Sequence, residues 1–183
     1  MRALLIRHAA SSGQAPDAPL SDDGEAHAER LAPWLTAAGA GPLYSSPYRR
    51  ARQTVAPFSK ASGQEVTALD GLRERLLSPA PCPDWLEETK RSFTDPGYAL
   101  PGGEALADVR ARAAAALDEI AQKGGALPTF VTHGVLTTAL FGAADPSFGF
   151  DDWRALRNPD VFAVTLVGGQ LTTFERLDWK DGP

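Results

Sequence analysis

The chain has 183 residues, a length that suits one domain with a sizeable hydrophobic core. Its residues are 43% hydrophobic and 22% charged, and its formal net charge of -5 argues against a nucleic-acid or membrane-surface binding protein, because such proteins usually present a basic face. A small anionic ligand remains compatible with this charge, because a few arginines dominate the potential of one pocket within a screening distance of about 8 Å.

Cysteine content and hydropathy predict a cytoplasmic protein without a membrane partner. Cys82 is the single cysteine, so the sequence offers no internal disulfide, and a free thiol is typical of a reducing compartment. No apolar run reaches the length of a signal-peptide core or of a membrane span. The oligomeric state stays open at this stage.

In the first part of the chain, apolar runs alternate with amphipathic segments. We predict strands over 2–6, 41–46 and 64–70, and helices over 20–39 and 45–63. Ser21 is placed to cap the first helix and Gly39 to end it, while Pro33 is expected to kink or divide it. For the second helix, Ser46 is the expected N-cap and Pro47 the expected first helical residue.

The second part of the chain opens with a proline-rich segment and then returns to regular patterns. Residues 75–103 are predicted to be irregular apart from a short helix over 83–93. We then predict a helix over 103–125, a strand over 128–133, a helix from 134, and strands over 161–167 and 170–177 joined at Gly168-Gly169. This order predicts one domain over 1–183, a three-layer α/β/α sandwich whose central sheet is mostly parallel with an antiparallel C-terminal strand.

Charged and imidazole side chains follow several of the predicted strands. Arg7 and His8 end the first strand, and His133 ends the fourth. Arg50 lies in the first turn of the helix after the second strand, and Glu74 follows the third strand by a few residues. Ligands of such sheets gather at the carboxyl ends of the strands, so we expect these five side chains in one site.

Two arginines and two histidines in one site favour phosphoryl chemistry. The planar, permanently charged guanidinium groups of Arg7 and Arg50 match the geometry of a phosphate, and helix starts near Ser46 and Gly134 would add backbone N–H donors. Nearby cations disfavour a protonated histidine, and a neutral imidazole can attack phosphorus. The second histidine would donate to the phosphoryl oxygens, and a carboxylic acid would protonate the leaving group.

A metal site is the competing interpretation of two histidines and a carboxylate. The chain has only three histidines, and it lacks an H-x-x-x-H or cysteine-rich spacing. Two arginines beside the site would also repel a divalent cation. We therefore predict that the protein needs no metal and no other cofactor.

The order of motifs resembles that of the histidine phosphatase superfamily, the phosphoglycerate mutase-like branch 1. Six segments carry the resemblance, namely "LLIRHAASS", "PLSDDGEAHAERLAPWL", "YSSPYRRARQT", "LRER", "LPGGEALADVRAR" and "FVTHGVL". Each motif is short, but together they cover nearly the whole chain in the family's order. The resemblance implies the phosphoglycerate mutase-like fold and a metal-independent phosphomonoesterase that hydrolyses a small phosphorylated metabolite through a phosphohistidine intermediate.

The resemblance also implies roles for individual residues. His8 would be the phosphorylated nucleophile, Arg7, Arg50 and His133 would complete the phosphate pocket, and Glu74 would act first as proton donor and then as base.

Two further residues are predicted to bind phosphate, and one of them, Gln14, is among three departures from the family pattern. Gln14 stands where mutase-like members often carry asparagine, and it can still donate to a phosphoryl oxygen, while Gly134 contributes the helix start. Ala9 replaces the usual glycine after the histidine, which requires a backbone φ below zero there. Ala10 stands where many members carry glutamate. These differences bear on the substrate and on mutase activity.

Substrate choice and three alternative functions stay open. Residues 75–103 form the expected lid or substrate-specificity insertion, with Trp85, Phe93 and Tyr98 available to shape it. The alternatives are a mutase that returns the phosphoryl group to a bound sugar acid, a SixA-like protein phosphohistidine phosphatase, and a non-catalytic phosphate-binding protein. The SixA-like proteins generally lack counterparts of Glu74 and of the "PGGE" helix.

Overall fold

The computed structural model describes residues 1–180 as a six-stranded mixed sheet between two layers of helices. The strands are β1 (Arg2–Arg7), β2 (Leu43–Ser45), β3 (Val66–Ala68), β4 (Thr129–Thr132), β5 (Asp160–Val167) and β6 (Gln170–Leu177). The helices are α1 (Asp22–Ala37), α2 (Arg49–Ser62), α3 (Trp85–Thr94), α4 (Leu106–Lys123), α5 (Gly134–Ala144) and α6 (Phe150–Ala155), with a short 3₁₀ turn at Asp70–Leu72.

The strand order places the end of β1 near the middle of the sheet. The order is β3-β2-β4-β1-β5-β6; the first four are parallel, whereas β5 runs antiparallel to β1 and β6 antiparallel to β5. Arg7 pairs with Thr132 on one side and with Asp160 on the other. The predicted α/β class and the mostly parallel sheet are therefore confirmed.

The two faces of the sheet bury two separate cores. Leu4 and Ile6 of β1 pack with residues of α1 and α2, whereas Ala3 and Leu5 pack with residues of α4 and α5. Successive side chains of a strand point to opposite faces, so a central strand covered on both sides must be apolar throughout. This explains the uninterrupted apolar run at the start of the chain.

Local signals at the helix ends are confirmed in part. The Ser21 side chain accepts from the Gly24 N–H as the N-cap of α1, but that helix continues unbroken through Pro33, contrary to the prediction. The prediction that Ser46 caps the second helix is also wrong, because α2 starts at Arg49. The backbone N–H of Ser46 donates to the Val131 carbonyl and keeps that residue on the sheet ladder.

The segment over 75–103 contains one regular element, α3, which confirms the predicted short helix. The remaining residues of the segment form turns and extended stretches without strands. Within the part of the chain that the structure describes, no helix is both long and apolar enough to cross a membrane.

Candidate active site

The carboxyl edge of the parallel strands brings the predicted site residues together. Arg7 ends β1 and His8 follows it, Arg50 lies in the first turn of α2, and His133 lies between β4 and α5. The imidazole centroids of His8 and His133 are 5.0 Å apart, and the rings meet edge to face at 63°. Glu74 reaches the same place from the turn that follows β3.

Two hydrogen bonds fix the proton on the His8 ring. Its Nδ1 lies 2.7 Å from the Ala9 carbonyl oxygen, and a carbonyl only accepts, so Nδ1 carries the hydrogen. The Nε2 atom accepts from the Nε–H of Arg50 at 3.1 Å, which requires a lone pair on Nε2. His8 thus presents the lone pair of Nε2 toward Arg50.

Burial keeps His8 neutral. Desolvation lowers the pKa of this imidazole to about 3; the bond to the Ala9 carbonyl opposes the shift, and the charges of Arg50 and Arg7 add to it. The backbone around the ring is also held, because Asn158 Nδ2 donates to the His8 carbonyl at 2.8 Å and Ala9 N donates to Thr54 Oγ1 at 2.9 Å. Near neutral pH the ring is therefore uncharged, with its one hydrogen on Nδ1, and these bonds hold it in a fixed orientation.

Ala9 fits its position without strain. Among the residues that the structure describes, Leu127 is the only non-glycine residue with a positive φ, so the backbone at Ala9 does not need glycine. The Ala9 side chain is fully buried beside Leu20 and Ala28. The family's usual glycine is replaced here at no conformational cost.

Arg50 is buried, and its guanidinium group donates hydrogen bonds to several acceptors. Its Nη1 donates to the carbonyl oxygens of Gln14 at 3.1 Å and of Ala15 at 2.9 Å, and its guanidinium carbon lies 5.0 Å from the centroid of the Tyr48 ring. Gln14 therefore contributes its backbone carbonyl to the site, and its side chain is exposed. A phosphate contact of the Gln14 amide stays a prediction.

Arg7 has an unsatisfied donor within the site. Its Nη1 donates to the Leu156 carbonyl at 2.9 Å, whereas its buried Nε finds no acceptor among residues 1–180. Burial lowers the pKa of Arg7 and of Arg50, and the Glu74 carboxylate partly offsets that effect in both.

Neither Arg7 nor Arg50 has a carboxylate within ion-pair distance in the described part of the chain. The charges of Glu74 and, at Arg7, of Asp160 therefore compensate the two buried guanidinium groups only in part. The site therefore favours an anion with several acceptor oxygens.

His133 is the most enclosed of the site residues. Its side chain is fully buried, its Nε2 lies 2.7 Å from Ser46 Oγ, and its Nδ1 has no partner among the described residues. Desolvation, followed by the neighbouring His8 and Arg50, holds the pKa of His133 well below its ordinary value. A neutral His133 carries a single N–H.

The Glu74 carboxylate contacts the N-terminal turn of α5. Its Oε2 accepts from the backbone N–H of Val135 at 3.1 Å, and its Oε1 accepts from Leu136 at 3.1 Å and from Arg75 at 2.9 Å. These bonds satisfy amides at the positive end of the helix, so Glu74 occupies donors that a phosphate would otherwise use.

Gly134 packs tightly against the side chains of Arg7 and Trp153. A Cβ built there would lie 3.3 Å from Arg7 Cζ and 3.0 Å from Trp153 Nε1. The absence of a side chain allows Arg7 and the indole of Trp153 to approach the start of α5. Direct phosphate binding by the Gly134 amide stays a prediction.

A carboxylate in the "PGGE" motif holds the residues on both sides of Glu74. Glu104 accepts from Arg73 at 2.6 and 2.7 Å, from Arg112 Nε at 2.9 Å, and from the Leu76 backbone N–H at 2.9 Å. Burial opposes ionisation of Glu104, but the hydrogen bonds from Arg73 and Arg112 outweigh it and lower the pKa to about 2. The motif therefore anchors the chain around the candidate acid.

Four supporting residues were not predicted as parts of the site. They all bond to or pack against a site residue, and they are Ser46, Tyr48, Thr54 and Asn158. The first three lie within or beside the "YSSPYRRARQT" segment, so that motif contained a signal for them. Asn158 follows no motif, and its contact with His8 is 150 positions distant along the chain.

Residues 1–180 contain no group of three or more histidine, cysteine, aspartate or glutamate side chains arranged to hold a metal ion. Independence from metal remains a prediction that requires an assay.

Comparison with known proteins agrees with the motif order. A family model described as the histidine phosphatase superfamily (branch 1) matches residues 3–181. No curated protein matches the chain.

Solved structures with similar folds include several phosphatases. A mycobacterial glucosyl-3-phosphoglycerate phosphatase in complex with inorganic phosphate is 24% identical, with a TM-score of 0.74, over 97% of this chain and 96% of that one. YhfR from Bacillus stearothermophilus is 25% identical, with a TM-score of 0.75, over 93% of both chains. A phosphoserine phosphatase mutant from Entamoeba histolytica in complex with phosphoserine is 20% identical, with a TM-score of 0.71, over 94% of this chain and 95% of that one.

Proposed function

The chain belongs to the histidine phosphatase superfamily (branch 1), and from that membership we propose that it is a metal-independent phosphomonoesterase that forms a phosphohistidine at His8. One observation carries the proposal: the lone pair of His8 Nε2 faces Arg50 in a buried site where two arginines lack an ion-pair partner. The names of the similar structures support hydrolysis of small phosphomonoesters, and they differ in substrate.

In the first step, the substrate phosphate binds between Arg7, Arg50 and His133. The Nε–H of Arg50 then donates its hydrogen bond to a phosphoryl oxygen instead of to His8 Nε2, which frees the lone pair of Nε2. Nε2 attacks phosphorus, so an N–P bond forms while the bond between phosphorus and the leaving oxygen breaks. Negative charge on the transferred group is stabilised by the guanidinium groups and by the single N–H of the second imidazole.

Glu74 completes this step by giving a proton to the departing oxygen. In the structure its carboxylate accepts three backbone N–H bonds, so the acid role requires a protonated carboxyl that releases one of them. The Glu74 charge raises the pKa of both Arg7 and Arg50, which supports a place for this carboxyl close to the bound phosphate.

In the second step, water takes the place of the leaving group. Glu74 accepts a proton from this water, whose oxygen attacks phosphorus while the N–P bond breaks. Nε2 of His8 regains its lone pair, and inorganic phosphate leaves. A mutase would instead transfer the phosphoryl group to a second bound hydroxyl, so release of inorganic phosphate separates the two functions.

We further propose that residues 75–103 select the leaving group. Trp85 of α3 is 51% exposed, and its ring lies 6.4 Å, edge to face, from that of Trp153. Trp153 in turn borders Arg7 across Gly134. An aromatic wall of Trp85 and Trp153 next to a phosphate-binding arginine favours a leaving group with a flat, apolar face.

The test compares His8→Ala with the wild-type protein on p-nitrophenyl phosphate in the presence of EDTA. We expect the wild type to release inorganic phosphate and to acquire an acid-labile phosphoryl group, and the variant to do neither. His27→Gln, in a histidine on α1 away from the site, is the matched control and should retain activity. Unchanged turnover in His8→Ala, or loss of wild-type turnover with EDTA that is restored by a divalent metal, would overturn the proposal.

A further inference from the structure

Ser46 has no role in the mechanism above, yet its hydroxyl is buried against His133. We propose that Ser46 is a positioning residue: its hydroxyl holds His133 in the tautomer whose Nδ1 carries the hydrogen, so that the ring can donate to the transferred phosphoryl group. The catalytic consequence rests on the proposed function, whereas the assignment of the tautomer rests on the hydrogen bonds alone.

The Ser46 hydroxyl has one hydrogen and two lone pairs. One lone pair accepts the Tyr48 backbone N–H at 3.2 Å. His133 Nε2, at 2.7 Å, is the only group among residues 1–180 that is placed to accept the hydroxyl hydrogen. If Nε2 carried a hydrogen, Ser46 would accept twice, and two buried groups would lack partners among the described residues, namely the Ser46 hydrogen and the lone pair on His133 Nδ1. With the hydrogen on Nδ1, that N–H alone lacks a partner, so this tautomer costs less.

The ring hydrogen of His133 is therefore left on Nδ1. That atom is buried and has no partner among the described residues. It is the remaining donor of a ring that lies 5.0 Å from the nucleophilic imidazole of His8. In the opposite tautomer a lone pair on Nδ1 would meet the phosphoryl oxygens and repel them.

The two histidines reach the same tautomer by different means. The Ala9 carbonyl can only accept, so it fixes Nδ1–H of His8 unconditionally. A hydroxyl can donate or accept, so Ser46 orients His133 only while the Tyr48 N–H occupies one of its lone pairs. Helix α2 begins at Arg49, with Tyr48 as its N-cap residue, so the Ser46 hydroxyl does not cap the helix and is available for this contact.

The wild-type tautomer is measurable without any substitution. In ¹⁵N-histidine-labelled protein at pH 7, spectra that connect ring nitrogens with ring hydrogens report which nitrogen is protonated. We expect His133, assigned with a His133→Gln variant, to show a protonated Nδ1 and an unprotonated Nε2. A protonated Nε2 in the wild type would overturn the inference, whether or not the protein hydrolyses phosphate esters.

Kinetics then test the catalytic consequence. Ser46→Ala removes the group that holds the tautomer, so we expect a mixed or reversed tautomer at His133 and a fall in kcat in proportion to the lost fraction of the Nδ1–H form, reaching about 100-fold for complete reversal, with a much smaller change in KM. Ser46→Thr keeps a hydroxyl and should retain the tautomer and restore much of the rate.

Ser45→Ala is the matched control, because Ser45 is equally buried at the end of β2 but donates to the Ser46 carbonyl rather than to a histidine. It should keep the wild-type tautomer and kcat. A Ser46→Ala variant with an unchanged tautomer and kcat would contradict the inference. A wild-type protein that shows the expected tautomer but forms no phosphohistidine would contradict only the proposed function.

Discussion

His8 is a neutral imidazole that lies buried among cations, and in the proposed reaction it would attack an anion. Burial supplies most of the effect that keeps the imidazole neutral, and the guanidinium groups of Arg50 and Arg7 add to it. The same arginines neutralise the phosphate that the ring would attack. A neutral nucleophile therefore costs the site no electrostatic attraction for its substrate.

The buried imidazole of His8 has a consequence for stability in acid. An unfolded chain binds a proton at His8 near pH 6.5, whereas the folded chain resists protonation down to about pH 3. Between these values acid favours the unfolded state, and the free energy of unfolding falls by up to about 1.4 kcal/mol per pH unit. We expect His8→Gln to lose about 2 kcal/mol less than the wild type between pH 7 and pH 5.

Urea unfolding at the two pH values measures this difference. His27→Gln serves as the control and should depart from the wild type less than His8→Gln does, because His27 is only half-buried, although burial and the charges of Arg30 and Lys180 also lower its pKa. Parallel pH dependence in the wild type and His8→Gln would show that the imidazole titrates normally in the folded protein.

Glu74 can be tested through the chemistry of the leaving group. A p-nitrophenolate scarcely needs a proton, whereas an alkoxide does. Glu74→Gln keeps an oxygen for the amides of α5 but removes the acid, so we expect kcat/KM to fall about 100-fold more for an alkyl phosphate than for p-nitrophenyl phosphate. Equal losses on the two substrates would remove Glu74 from the acid role.

At the scale of elements, α3 packs against α6 through aromatic rings, and Trp153 of α6 lies beside Gly134 and Arg7. The ring of Phe93 on α3 lies 6.4 Å from that of Trp153 on α6, so the helix is packed down while Trp85 remains exposed. Tyr98, in contrast, is used inside the segment, because its hydroxyl bonds to Glu88. The aromatic residues of 75–103 therefore divide between packing and a surface that is available to a substrate.

Trp85→Ala tests the proposed aromatic wall. We expect KM for p-nitrophenyl phosphate to rise about fivefold, the size typical of an aromatic contact, with little change for a small alkyl phosphate and an unchanged kcat for both. Leu86→Ala alters the next residue of α3, which is also exposed, and should leave the ratio unchanged. The same shift in KM for both substrates would show that Trp85 does not select the leaving group.

The elements were predictable where local patterns decide them. The apolar runs of the strands and the Ser21 cap appear as expected, because burial and capping depend on neighbouring residues. The start of α2 was not predictable, because the Ser46 backbone is held by Val131 on another strand. The predicted break of α1 at Pro33 was wrong for a related reason. The packing of α1 against the sheet holds the helix together although Pro33 has no backbone N–H.

At the scale of the whole molecule, motif order predicted which residues come together but not their mutual orientation. The bond from Arg50 to His8 spans 42 positions, the Glu74 bonds to α5 span 61 and 62, and the contact of Ser46 with His133 spans 87. Which atom faces which partner depends on the finished sheet. The structure is therefore needed to show the histidine tautomers, the buried donors without partners and the contact of the Glu74 carboxylate with α5.

The antiparallel course of β5 separates the two ends of the molecule. Asp160 begins the strand beside Arg7, and Val167 ends it at the opposite rim, where Gly168 turns the chain with open space around it. A fluorophore, an affinity handle or a surface linker attached at that turn would leave the candidate active site unobstructed. The protein could thus be immobilised for repeated use in a flow reactor or biosensor with the candidate site facing the solution.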